Sequence, residues 1–183
     1  MSQVAWLSGA PLAGTGFNFF AAICDAIKTH LSTDGDGHIT TAASLVDYLQ
    51  SLGTTFRLDA SMEPRAESKS RYPLVYITPV GFSTILSESR TVALVPRIRL
   101  IVFCGNADAD VSQAQCLAVA GACTSILQQS VYGSSGDWCG YYILYAATVD
   151  TVSGDVESRP DSTAGWLSRI QLNVSFAYRE TID

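Results

Sequence analysis

Lysine is almost missing from this chain: Lys28 and Lys69 are the only two in 183 residues. The formal net charge is −6 and the sequence pI is near 4.7. Both argue against a surface built to neutralise phosphates, which depends on clustered Lys and Arg, and so against nucleic acid as an extensive direct partner. Histidine is as scarce. His30 and His38 fall at the end of the first helical pattern and in the turn after it, where neither completes a catalytic motif. No G-x-S-x-G, P-loop, G-x-G-x-x-G or H-E-x-x-H occurs, so hydrolase, nucleotide and zinc chemistry have no anchoring residues. Long apolar runs are absent too. Stretches such as residues 100–103 fall far short of the roughly 20 residues of a membrane span, and no basic region precedes the first apolar residues. The expectation is a soluble chain without a membrane partner, not secreted by that route. Cys24, Cys104, Cys116, Cys123 and Cys139 are odd in number, include no C-x-x-C pair and lie inside apolar patterns. They read as reduced core cysteines of a cytoplasmic product.

What the chain does have is pattern. Over residues 165–178, Trp166, Ile170, Leu172, Val174, Phe176 and Tyr178 fall on one side of a two-residue alternation; Leu167, Arg169, Gln171, Asn173, Ser175 and Ala177 fall on the other. That is a half-buried antiparallel β-strand. With 48% apolar residues the chain can bury one core of ordinary size and needs no second domain. Residues 1–16, rich in Ala, Gly, Ser and Leu without a sustained period, read as an N-terminal arm, and 17–183 as a single domain. Phe17, Phe20, Ala21, Cys24, Ile27 and Leu31 recur at helical spacing, with Asp25 and Lys28 outward, and predict an amphipathic helix over 16–31. A second helix over about 41–52 turns Leu45, Val46, Leu49 and Leu52 inward and stops at Gly53 in the manner of a C′ glycine.

Strands are expected at 54–59, 74–79 and 92–103, with a charged loop or hairpin tip over 61–71 and a polar turn region over 81–89. In the longest strand Val92, Leu94, Ile98, Leu100 and Val102 share one face, Arg97 and Arg99 the other, and Pro96 suggests an edge or a bulge. Asp110 with Gln113 resembles a capping box ahead of the buried stripe Cys116, Val119, Ala120, Cys123, Ile126 and Leu127. A turn at 133–136, a strand at 141–149 and a polar loop at 150–164 lead to the final strand. The order α-α-β-β-β-α-β-β describes an α+β fold: a single mixed, largely antiparallel sheet with helices packed on one face and the other face left polar.

Two segments imitate chemistry. Residues 32–40 lie between two helices like a calcium loop, with Asp34 and Asp36 at the third and fifth positions if Gly37 takes the glycine place. The first position is then Ser32 and the twelfth Ala43, so the bidentate carboxylate that completes the usual six to eight oxygens is missing. A Gly-Asp turn joining two helices explains the segment better. Cys104-Gly105-Asn106 ends a strand ahead of a helix, where a cysteine nucleophile would want a nearby His or a strong helix dipole; a half-buried structural thiol fits the same residues. No metal, cofactor or enzymatic activity is expected.

The layout itself resembles a known family. It is carried by F-N-F-F-A-A-I-C-D-A-I in the first helix, P-L-V-Y-I-T-P after the charged loop, the long R-I-R-L-I-V-F-C strand, a single helix, and the closing S-R-P-D-S and W-L-S-R-I-Q-L-N-V-S-F. Over residues 16 to about 179 it looks like the tail terminator, or tail-completion, proteins of long-tailed bacteriophages, of the lambda tail-terminator kind. It departs from them by the arm, the second helix and the longer 150–164 segment. The resemblance implies a structural virion protein rather than an enzyme: a homo-oligomer, a hexameric ring that caps the tail tube, stops its growth and offers a surface for head attachment. The implied partners are the tail tube protein and a head-completion or neck protein, the implied place is the tail or neck of a virion assembled in the host cytoplasm, and DNA passes through the ring without sequence-specific contact. Another neck or head-tail connector subunit, and a non-viral cytoplasmic binding or assembly module, stay open. The expected interface residues are Arg97, Arg99 and Arg169 on the polar sheet face, set against an acidic surface of the next copy. To these are added Glu63, Arg65, Glu67, Lys69 and Arg71 of the charged loop, which alternate with almost no apolar residue to dock them at home.

Overall fold

The computed structural model describes residues 24, 27–28, 31–32, 40–58, 72–87, 91–133, 137–138, 141–142, 148–151, 156–175 and 178–181. The N-terminal arm, the calcium-like turn at 33–39 and the charged loop at 61–71 lie outside them. The elements are α1 (Thr40–Ser51), β1 (Thr55–Leu58), β2 (Leu74–Ser87), β3 (Thr91–Asn106), α2 (Ala109–Gly133), β4 (Asp137–Trp138), β5 (Tyr141–Tyr142), β6 (Thr148–Thr151), β7 (Glu157–Asp161), β8 (Gly165–Ser175) and β9 (Tyr178–Thr181). Ahead of α1, Cys24, Ile27 and Leu31 are helical and buried, as their spacing predicts.

A mixed sheet runs in the order β1-β2-β3-β8-β6, with β7 also beside β8 and β9 also beside β3. β1 pairs parallel with β2 and the other pairs are antiparallel. β4 and β5 form a separate small hairpin. The fold is therefore α+β with one mixed sheet, and the helices pack on one of its faces.

Local chemistry sets the element ends. α1 stops in a full Schellman motif: Gly53, at φ +67, donates to the Gln50 carbonyl (2.8 Å) and Thr54 to that of Leu49 (3.0 Å). α2 begins two residues earlier than a cap at Asp110 would place it. The Asp108 carboxylate accepts from the amides of Asp110 (2.8 Å) and Val111 (3.2 Å), so Asp108 is the N-cap and Asp110 lies in the first turn, where its charge suits the helix dipole. The buried Ser112 hydroxyl anchors this turn by donating to the Cys104 carbonyl at 2.9 Å.

Two stretches read as loops are strands. β2 continues to Ser87, because the irregularity at Pro79 and Gly81 leaves only Val80 unopposed before pairing resumes at Gly81↔Arg97. Pro79 has no N–H to donate and breaks the apolar alternation, which is why the sequence ended the strand there. Within residues 150–164, β7 folds back on β8 from Glu157↔Arg169 to Asp161↔Gly165. The Asp161 carboxylate accepts from the Thr163 and Ala164 amides, both at 2.8 Å, and from the Thr163 hydroxyl, while Gly165 takes φ +83. This is a three-residue hairpin loop closed by a left-handed glycine. β7 carries no apolar alternation, so nothing in its sequence distinguishes it from a loop.

β8 has the register its alternation predicts. Ile170, Leu172 and Val174 are buried beneath the helices with Val75, Ile77, Ile98, Leu100 and Val102, and α2 contributes Cys116, Val119, Cys123 and Ile126. β3 pairs with β8 through Arg97↔Ser175 and with β9 from Leu94↔Tyr178, so both lie on one register line. Pro96 sits in β3 between the two paired stretches, where its missing N–H breaks no described ladder bond on that side.

Candidate functional site

The sheet face turned away from the helices is built by the other half of each alternation, and it is not polar throughout. Cross-strand rows place Thr55, Leu74, Phe103, Arg169 and Glu157 side by side, then Arg57, Tyr76, Ile101 and Gln171, then Thr78, Arg99 and Asn173. At one end Leu74, Tyr76, Ile101, Phe103 and Leu167 form a second buried cluster, with Tyr72 packed against it. The Tyr76 and Phe103 rings meet edge to face at 6.1 Å and 88°. Gly105 makes room for this: a Cβ there would lie 2.6 Å from the Tyr72 ring and 2.8 Å from the Ala164 Cβ. The expectation of a uniformly polar face is corrected accordingly. Leu167, which falls on the polar side of the alternation, is 4% exposed because this aromatic cluster receives it.

The same face carries arginine, both in the rows of this cluster and beyond it. Arg97 is exposed and Arg99 half-buried on β3, while Arg169 on β8 is half-buried. Arg169 bridges to Glu157 at 3.2 Å across the β7–β8 hairpin and donates to the Gln171 side chain at 3.5 Å. Tertiary pairing brings two more arginines to the same side: Arg57 opposite Tyr76, and Arg159 opposite Leu167. All five arginines whose surroundings are described thus share one sheet face. Sequence reasoning missed Arg57 and Arg159, because their face is set by a parallel pairing and by a hairpin that no local period announces. Glu63, Arg65, Glu67, Lys69 and Arg71 lie outside the described residues.

On the helix side the described charges are mainly negative: Asp47 on α1 and Asp108 and Asp110 at the start of α2 are exposed, with Lys28 the one described base. Among the described residues the two faces therefore differ in sign.

The cysteine arrangement opposes nucleophilic chemistry. Cys104 is fully buried, and its thiol is pushed up first by its hydrogen bond with Cys116 and then by burial. Cys116 in turn donates to the Val102 carbonyl at 3.7 Å. Burial lifts Cys24 and Cys123 to about 12, in Cys123 against a backbone hydrogen bond that acts to lower it. A thiol held protonated in a dry core is neither a nucleophile nor a metal ligand. Among the described residues no group of three His, Cys, Asp or Glu could hold a metal ion, and no described helix is long and apolar enough to cross a membrane.

No family model matches the chain, and no curated protein matches it either. Among solved structures, a chain from the virion of a native gene transfer agent particle is similar to 87% of this chain over 96% of its own length, at 17% identity and a TM-score of 0.44. A likeness at that level leaves both fold and function to be argued from this chain's own residues.

Proposed function

We propose that the chain is a structural virion protein: a ring-forming tail terminator that caps the tail tube and joins tail to head. The observation that carries this reading is the layout. Cys24, Ile27 and Leu31 pack on the core; L-V-Y-I-T-P opens β2, R-I-R-L-I-V-F-C lies in β3, α2 follows, and W-L-S-R-I-Q-L-N-V-S fills β8 beside β3. These are the segments on which the family resemblance rests, in the same order. A plate clad by helices on one face and bearing arginines on the other has two dissimilar broad surfaces, which suits head-to-tail contacts that close into a ring of six. A net charge of −6 suits a channel through which DNA slides without sticking. The tail tube protein and a head-completion or neck protein are the partners of the ring's two rims, and the loop holding Glu63, Arg65, Glu67, Lys69 and Arg71 is a contact element toward one of them.

A strain lacking the gene should yield overlong tails unjoined to filled heads, and particle necks carrying the protein should show a closed ring. Normal infectious particles from the deletion strain overturn the reading. Reversing Arg65, Lys69 and Arg71 together should keep the parent melting temperature and fail to complete tails. Full complementation by that variant removes the loop from the mechanism.

A further inference from the structure

Helix α2 spans 25 residues and contains one charged side chain, Asp110. A helix lying on a sheet ordinarily gives water a charged outer face; the exposed positions of α2 hold Asp110 and Gln113 and are otherwise small or apolar. Here Cys116, Val119, Ala120 and Cys123 face the core, while Val111, Ala114, Leu117, Ala118 and Gly121 are exposed at the same 3–4 residue spacing. Val111 and Leu117 are each 50% exposed, more than any other large apolar side chain described. Nothing in the described molecule covers this stripe.

The same chain offers a surface of the matching sign. The helix side is acidic at its exposed Asp47, Asp108 and Asp110, and the far sheet face gathers arginine, with Arg97 exposed beside the bulge. Val80, which the bulge leaves unopposed, is 46% exposed. Arginine stems and a bulged valine give apolar area for a helix to lie on, and the guanidinium groups give it a charged rim. We propose that the outer face of α2 docks onto the arginine-bearing sheet face of a second copy of this chain, with Asp110 toward the Arg97 end. A second copy is the occupant because one chain carries both complementary halves on opposite sides. That makes the contact heterologous, the kind that generates a ring when its rotation closes. The inference deepens the ring reading by naming the two surfaces, and it fails separately from that reading: its test uses purified protein alone, whereas the virion role is tested in particles.

The test is light scattering after size exclusion on the parent chain, Leu117→Glu and Arg97→Glu, with melting temperatures measured in parallel. The parent should run as an oligomer, and each variant should fall to monomer mass and still unfold cooperatively, at a melting temperature lower only by what assembly adds to the parent. Mixed in equal amounts, the two monomers should form a dimer of twice that mass and nothing larger, since one variant keeps an intact sheet face and the other an intact helix face. A monomeric parent, variants that assemble like the parent, or a mixture that stays monomeric each overturns the proposal. Should Leu117→Glu fail to unfold cooperatively, Ala118→Glu on the same stripe replaces it, with the same outcomes required.

Discussion

The two ends of the sheet face remote from the helices are built by the same three strands, with the same alternation, and differ in burial. Where β2, β3 and β8 pass Leu74, Phe103 and Leu167, the face is a buried apolar cluster flanked in its own rows by Arg57, Arg159 and Arg169; three register rows along β3, at Arg97 beside Ser175, it is exposed. Phe103 is 6% exposed and Leu167 4%. Strand geometry determines which side of the sheet a residue joins, because successive side chains point to opposite faces. It does not determine what that side meets. At the apolar end the β7–β8 hairpin loop brings Ala164 against Gly105, and Tyr72 lies over the same glycine. At the other end no described element crosses the face.

The largest effect that could break this comparison is at Phe103. Phe103→Ala should cost about 3–5 kcal/mol by transfer and cavity terms, whereas Arg97→Ala on the same strand face should stay within about 0.5 kcal/mol. Equal costs in chemical denaturation would mean that the two ends are not different environments. On the helix side, Leu172→Ala should cost about 2–5 kcal/mol and its neighbour Asn173→Ala little, and the reverse order would mean that the β8 register is wrong. Gly105→Ala sharpens the account of the apolar end. A Cβ within 3 Å of both the Tyr72 ring and Ala164 forces that end apart, at about 1–3 kcal/mol, while leaving Arg97 exposed. A neutral Gly105→Ala would show that Tyr72 moves freely.

The smallest effect concerns the hairpin loop that holds Ala164 in place. The Asp161 carboxyl is held below its ordinary range, first by the Thr163 hydroxyl, then by the Ala164 and Thr163 amides. A carboxyl depressed in the folded state stabilises above its unfolded pKa, about 3.9, and that contribution is lost as the pH falls through the lower folded value. Asp161→Asn should therefore melt below the parent at neutral pH and converge with it as the pH is lowered beneath about 4. A gap that is the same at both pH values would assign the turn's stability to Gly165 and not to the carboxylate.

Much of the site was legible before any pairing was known, in the sense that Arg97, Arg99 and Arg169 could be placed opposite the core face from alternation alone. Arg57 and Arg159 could not, and neither could the exposed apolar positions of α2. The α2 cap shows the limit at close range. The run Asn106-Ala107-Asp108-Ala109-Asp110 offers two aspartates that could cap, and the choice of Asp108 follows from where β3 ends and where Ser112 reaches the Cys104 carbonyl.

The sequence by itself determined the faces of the long elements and the stop at Gly53, because periods of 2 and 3.6 residues and a left-handed glycine are properties of the local backbone. Only the tertiary structure decided that β2 continues past its bulge, that β7 pairs with β8, that five arginines share one face, and that one end of that face holds a buried apolar cluster. Each of these depends on hydrogen-bond partners and covering side chains contributed by distant parts of the chain, and no local period encodes them.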